Sequence, residues 1–170
     1  MTQIIDEQLL FEVNCHKVIH MLGELNQEQI WNLFNSQVLG RLGCCHKNQV
    51  YIVPVAYAFE SGTIYIYTKE GLKVDIMRQN PEVCFEVDQV HNMANWQSAI
   101  AWGNFEELEG DEANRALHIL TNRMVPLMTS ETFRPLYALH RGPDTVNSKM
   151  KMVVFKIKVK RSTGKYEKSK

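Results

Sequence analysis

Three short segments carry side chains whose types and spacing suit the binding of a small molecule. In Tyr67-Thr68-Lys69-Glu70-Gly71-Leu72-Lys73, a β-rich stretch gives way to a helical one through a glycine turn. A helix start offers unpaired amides and a partial positive charge, so the Thr68 hydroxyl and the Lys73 ammonium beside it suit a phosphate. The bland reading is a solvated lysine, and no G-x-x-x-x-G-K-[ST] loop is present. The second segment, Val50 to Tyr57, reads as one long strand, yet it contains Pro54, which cannot donate a ladder hydrogen bond. Either a bulge or a sheet edge accommodates the proline, or the backbone turns toward a ligand whose polar edge meets the amides and carbonyls of Val53 and Val55. In the third, Asn95-Trp96-Gln97-Ser98, the indole either covers an aromatic ligand that Gln97 or Ser98 hydrogen-bonds, or it seals the core.

Other reactive side chains form weaker patterns. Cys15, His16 and His20 include a histidine pair at i and i+4, and Cys44, Cys45 and His46 are contiguous, but no C-x-x-C pairs exist. On a strand Cys44 and Cys45 leave opposite faces, so they neither share one metal ion nor form a good disulfide. No G-x-S-x-G or G-x-G-x-x-G motif occurs. Arg134, His140 and Arg141 make a cationic loop, read as solvated surface, and Met124 to Met128 reads as packing.

The elements that must position these groups follow from periodicity. Asn26 and Gln29 are spaced as a capping box, and Ile30, Leu33 and Phe34 share a face, which predicts a helix over 27–35. Val38 to Cys45, Gln49 to Phe59 and Thr63 to Thr68 read as three antiparallel strands, separated by the breakers Lys47-Asn48 and Ser61-Gly62. A short helix is predicted over Leu72 to Gln79, with Leu72, Ile76 and Met77 on one face and Asn80-Pro81 ending it. Val83 to Val87 and Ser98 to Leu108 are two further strands. From Asp111, placed to cap, Ala113, Ala116, Leu117, Leu120 and Met124 recur at helical spacing. Met152 to Lys160 alternates as a final strand. Six or so mostly antiparallel strands with a few helices predict a mainly β (α+β) fold class, a small Greek-key barrel with peripheral helices packed outside it.

The 170 residues read as a single domain, 1–170, with an N-terminal extension over 1–20 and a basic tail over 161–170 whose last residues, Lys165 to Lys170, are expected to be disordered. Lys plus Arg and Asp plus Glu both number 19, which removes the positive field that non-specific nucleic-acid binding requires. The charge is uneven. Eight acidic residues and no Lys or Arg lie between Glu82 and Glu112, while nine basic residues and Glu167 alone of the acids lie from Lys149 to Lys170. Lysine-rich edges discourage strand aggregation, which is the plain reading of that segment. An acidic start, no apolar run long enough to span a bilayer and four cysteines together suggest a cytoplasmic protein.

In order and spacing, Val38-Leu-Gly-Arg-Leu-Gly, Tyr51-Ile-Val-Pro-Val-Ala-Tyr, Ile64-Tyr-Ile-Tyr-Thr, Gly71-Leu-Lys, Asn80-Pro-Glu-Val-Cys-Phe-Glu-Val-Asp and Trp96-Gln-Ser-Ala-Ile-Ala-Trp-Gly resemble the FMN-binding split-barrel families related to pyridoxamine 5'-phosphate oxidase. The likeness covers about residues 22 to 110 and is nearest the flavin-nucleotide-binding branch, beside the nitroimidazole-resistance proteins. It implies a homodimer of six-stranded antiparallel split β-barrels with FMN at the subunit interface. Val53, Pro54 and Val55 would lie along the isoalloxazine edge, Tyr67 and Thr68 along the ribityl chain, and Lys73 on the phosphate, with Arg41 as a further contact. Gln97 and Ser98, with Trp96 beside them, would approach from the adjacent strand or the second subunit.

Two departures narrow the implied activity. Tyr67 stands where the nitroimidazole-resistance branch has a histidine, and Phe155 to Lys170 lacks the arginine and histidine arrangement with which the true oxidase grips its vitamin phosphate. The expected function is an FMN-dependent oxidoreductase passing two electrons to a small organic acceptor, with no assigned catalytic side chain; Tyr67 is the best placed acid, and water could serve instead. The alternatives are a flavin-binding or storage protein without turnover, or a split barrel holding another cofactor such as heme or a deazaflavin.

Overall fold

The computed structural model describes residues 20–124, 126 and 151–169. In chain order the elements are β1 (His20–Glu24), α1 (Gln27–Ser36), β2 (Leu39–His46), β3 (Gln49–Glu60), β4 (Thr63–Lys69), α2 (Leu72–Gln79), β5 (Glu82–Asn92), β6 (Asn95–Glu107), α3 (Gly110–Met124) and β7 (Met152–Ser169). Cys15, His16, Met128 and the Arg134, His140 and Arg141 cluster lie outside the described residues. Among the described residues no helix is long and apolar enough to cross a membrane.

Local sequence explains most boundaries. The capping box forms at Asn26, whose side chain accepts from the Gln29 amide at 2.9 Å while its own amide donates to Gln29 Oε1 at 2.9 Å. The hairpins β2–β3 and β3–β4 each turn on two residues with positive φ, Lys47 and Asn48 in the first and Ser61 and Gly62 in the second. That pattern matches the right-handed twist of the flanking strands. Helix α2 has its expected limits, but Leu72 is 58% exposed and Val74 takes the inward position beside Ile76 and Met77. In α3 Asp111 sits inside the first turn of a helix that begins one residue earlier, so it complements the helix dipole instead of capping.

All strand pairings are antiparallel, in the order β1-β7-β4-β3-β2-β5-β6, and β7 also pairs with β6, which closes the sheet into a ring. Two expectations are corrected here. Among the described residues the strands number seven, not six, because His20–Glu24 adds to the end of β7. The residues expected to be disordered, up to Ser169, are ladder strand instead: β7 runs for 18 residues, and its polar second half pairs with β6 on one side and β1 on the other. Lysine-rich residues can join a strand here because both ladders satisfy the backbone while the side chains alternate outward.

The interior is filled by Leu42, Tyr57, Ile64, Ile66, Phe85, Phe155 and Ile157 together with Leu33 and Phe34 of α1 and Met77 of α2. Tyr57 is fully buried, and its hydroxyl donates to the Phe34 carbonyl at 2.7 Å. Burial pushes its pKa up, so it is a neutral brace between α1 and β3. Outside the ring, Leu120 and Met124 of α3 cover Ala58, with Ala56, Tyr65 and Tyr67 packed against them.

Candidate functional site

The β3–β4 ladder ends at Tyr57↔Ile66, although both strands continue beyond it. β3 stays with β2 through Gln49, and β4 stays with β7 through Lys69, so the two strands fork. Pro54 sits in that fork with no bulge: the β2–β3 register runs unbroken from Leu39↔Ala56 to His46↔Gln49. The Tyr57 amide donates to the Val38 carbonyl at 3.1 Å. By antiparallel alternation the amides of Val55 and Val53 also face β2, whereas the Pro54 carbonyl and the Ala56 amide face away from it. The proline is tolerated because its missing N–H points to an edge. The groups aimed at the fork are therefore those of Pro54 and Ala56, and the expectation of Val53 and Val55 amides and carbonyls is corrected.

Across the fork, Tyr67 and Thr68 lie on opposite faces of β4. Ile66 beside them is fully buried on the inner face, with Thr68 on its side and Tyr67 on the outer one. The Tyr67 ring packs against the α3 cluster, and burial raises its pKa, so at neutral pH it keeps its proton. Gly71 caps α2 with φ of 152°, a conformation L side chains rarely adopt, and its carbonyl accepts from the Val74 and Asp75 amides. Lys73 is half-buried, and among the described residues its ammonium reaches the Lys69 carbonyl, at 3.5 Å, and no carboxylate.

Arg78 holds this turn in place. Its guanidinium donates to Glu70 and, through two nitrogens at 2.5 and 2.9 Å, to Glu107. The hydrogen bonds from Arg78 hold both carboxyls below the usual carboxylate range. Glu70 is thereby occupied, by Arg78 and at 3.8 Å by Lys151, and Lys69 and Lys73 have no ion-pair partner among the described residues. Sequence reading missed Arg78, since its partners lie 8 and 29 residues away.

On the outer face of the ring, Pro54, Arg41, Glu86 and Ile100 form one cross-strand row. Arg41 is ion-paired to Asp88 and, at 3.4 Å, to Glu86, so its charge is already matched by two carboxylates. Partial burial and the neighbouring Asp88 raise the Glu86 pKa, against the pull of Arg41. Leu39, Val50 and Ile52, exposed at 54%, 65% and 64%, lie on the same face.

The third segment lies elsewhere. Trp96, Gln97 and Ser98 pair with Glu167, Tyr166 and Lys165 near the end of β7, whereas Thr68 pairs with Val153 near its start. One chain puts Pro54 on one arm of the fork and the β4–α2 turn at the end of the other, but does not bring Trp96, Gln97 and Ser98 to it. The three also divide by face. Trp96 and Ser98 point outward, and the Trp96 indole donates to Glu167 at 3.0 Å; Gln97 points inward and donates to Gln89 at 2.7 Å. Gln97 lines a cavity of about 520 Å³ where β1 and the end of β7 meet the β5–β6 hairpin and α1. Of its other lining residues, Asn95 and Trp96 belong to the same segment and Gln29 to the capping box, whereas Gln89 and His91 were not singled out in the sequence; the period-two continuation of Val87 was their available signal.

Comparison with known proteins gives a consistent picture. A sequence model described as pyridoxamine 5'-phosphate oxidase matches residues 26–165. The uncharacterized protein RA0666 of Rhizobium meliloti (strain 1021) is 32% identical over 84 residues, 49% of this chain and 56% of that protein, so the match spans just over half of the relative's length. A FAD-binding protein of Mesorhizobium loti has a TM-score of 0.65 at 22% identity, covering 87% of this chain and 98% of its own. A candidate 5-nitroimidazole antibiotic resistance protein of Bacteroides thetaiotaomicron has a TM-score of 0.64 at 19% identity, covering 88% and 90%. At these identities the structural likeness establishes the fold.

Proposed function

Because the chain belongs to the pyridoxamine 5'-phosphate oxidase family, we propose that it binds FMN between two copies of itself and acts as an oxidoreductase on a small organic acceptor. The observation that carries this reading is the fork: one arm offers the Pro54 carbonyl and the Ala56 amide, and the other leads into a turn bearing Thr68, Lys69 and Lys73. A flat ring with polar edges fits the first, and a single phosphate fits the second. The FAD-binding Mesorhizobium neighbour supports a flavin, and one lysine turn suits the one phosphate of FMN.

When bound, the flavin supplies the two-electron chemistry. The protein's own share is position and electrostatics. Lys73 holds the phosphate, the Arg78 clamp fixes the turn, and Val53 and Val55 stiffen the strand beneath the ring. Trp96 and Ser98 close the site from a second copy, because their own strand ends far from their own Lys73. The exposed Leu39, Val50 and Ile52 supply the apolar surface for that pairing. Cys44, Cys45 and Cys84 are free thiols, which suits a reducing cytoplasm.

A second reading, flavin binding without turnover, is favoured by Tyr67, whose ring is packed under α3 and whose proton is held tightly. One experiment tests binding and then separates the two. The purified protein is titrated with FMN and FAD and its visible spectrum recorded, and the reduced complex is then mixed with acceptors in a stopped-flow instrument. Saturable uptake of FMN in preference to FAD is expected, with reoxidation faster than that of free flavin. A colourless protein that takes up neither flavin overturns the proposal, and a Soret band would assign the fold to heme.

A further inference from the structure

We propose that the cavity beside the β5–β6 hairpin is a second small-molecule site, for a planar heteroaromatic lactam bearing one carboxylate. It goes beyond the flavin reading, which rests on the fork elsewhere in the fold. The cavity measures about 520 Å³, within the range of small-ligand pockets. Three glutamines from three elements line it, each with one amide atom already engaged. Gln29 Oε1 accepts from the Asn26 amide, Gln97 Nε2 donates to Gln89, and Gln89 Oε1 receives that bond. The opposite atoms, two amide nitrogens from Gln29 and Gln89 and one oxygen from Gln97, have no protein partner among the described residues.

Two donors and one acceptor around one cavity complement the alternating N–H and C=O edge of a lactam. Tyr166, on the inner face opposite Gln97, provides aromatic surface for the ring. Charge completes the selection. Alternation along β7 puts Lys168 on the inner face with Tyr166, while Glu167 goes outward with Trp96, whose indole occupies one of its oxygens. An anion at the ring's far edge would meet the Lys168 ammonium, with His91 also at the rim.

The test uses orotate, a pyrimidinedione carboxylate, with uracil and benzoate as probes lacking the carboxylate and the lactam edge. Binding to the full-length protein is measured by calorimetry and saturation-transfer NMR. Orotate is expected to bind saturably and more tightly than either partial probe. Gln97→Leu should weaken orotate about tenfold or more, since one lost hydrogen bond also strands its partner. Gln89→Leu gives a second route if the first variant does not fold. Lys168→Met should weaken orotate and leave uracil unchanged, and Lys73→Ala should alter neither. Absence of saturable orotate binding at millimolar concentration overturns the proposal, as does binding that both glutamine variants leave intact. Orotate binding by a protein that rejects FMN would sustain this site and remove the flavin reading.

Discussion

Thr68 and Ser98 are joined to the same strand at opposite ends, Thr68 facing Val153 and Ser98 facing Lys165. Those partners are twelve residues apart, roughly 40 Å of strand contour. A ligand of flavin size held at Thr68 cannot touch Ser98 of its own chain by following β7. The two groups can serve one molecule if a second copy presents its β6 to the fork, and a two-fold pair makes two equal sites.

Mixing variants tests that arrangement. Lys73→Ala damages one half of the site, and a Trp96→Ala, Ser98→Ala double substitution damages the other. Each protein alone should bind FMN weakly. After the two are unfolded, mixed and refolded together, random pairing leaves one intact site in each mixed dimer, so about a quarter of all sites should recover full affinity. Fluorescence titration of FMN reads the recovered fraction. No recovery would place both halves of the site in one chain.

Among the described residues the Lys73 ammonium reaches a backbone carbonyl and no side chain, so its removal should leave the fold intact. A charge-assisted hydrogen bond is worth about 1.5 to 3 kcal/mol, which converts to roughly a ten- to hundredfold loss of FMN affinity in Lys73→Ala. Riboflavin lacks the phosphate and should bind the variant and the parent equally. Equal losses for both ligands would remove Lys73 from the phosphate site.

Much of this framework is legible in local sequence. Asn26 with Gln29, the Lys47-Asn48 and Ser61-Gly62 turns and the Gly71 to Asn80 helix depend on neighbours within a few residues. Pro54 was legible as an interruption, but its meaning depends on where β4 departs, which no local pattern records. The second half of β7 was missed because Arg161-Ser-Thr-Gly-Lys has no apolar alternation; it is strand because β6 and β1 pair with it across the chain. For the same reason, Trp96, Gln97 and Ser98 could be chosen by residue type, whereas their distance from Lys73 could not be read.

Glu86 gives the pH dependence a sign. Burial and Asp88 raise its folded pKa above the unfolded value. The folded state then binds the proton more tightly, so the contribution is fully present below the unfolded pKa and is lost as pH rises through the folded one. Glu86→Gln removes the charge while Arg41 keeps Asp88. The variant should match the parent near pH 4 and gain up to about 1 kcal/mol at pH 7 to 8, read from thermal unfolding across pH. A loss of stability at pH 8 would mean that the Arg41 pairing outweighs the burial of the carboxylate.

Gly103 marks where the ring bends. The β6–β7 register shifts between Trp102, opposite Arg161, and Gly103, opposite Val159, which leaves Lys160 as the extra residue of a bulge. The β4 ladder along β7 also stops here, at Thr63↔Lys158. A Cβ on Gly103 would meet the Lys158 carbonyl oxygen and lie 2.8 Å from Ile157 Cγ2. Backbone cannot rotate aside as a side chain can, so relief requires β7 to move off β6 at the closure of the ring. Gly103→Ala should therefore cost about 1 to 3 kcal/mol, seen as a lower denaturant midpoint. It should also weaken FMN binding, because β7 carries the β4 strand that ends in the lysine turn. A variant as stable as the parent would show that the bulge absorbs a methyl group, and that the bend does not depend on close backbone approach at this residue.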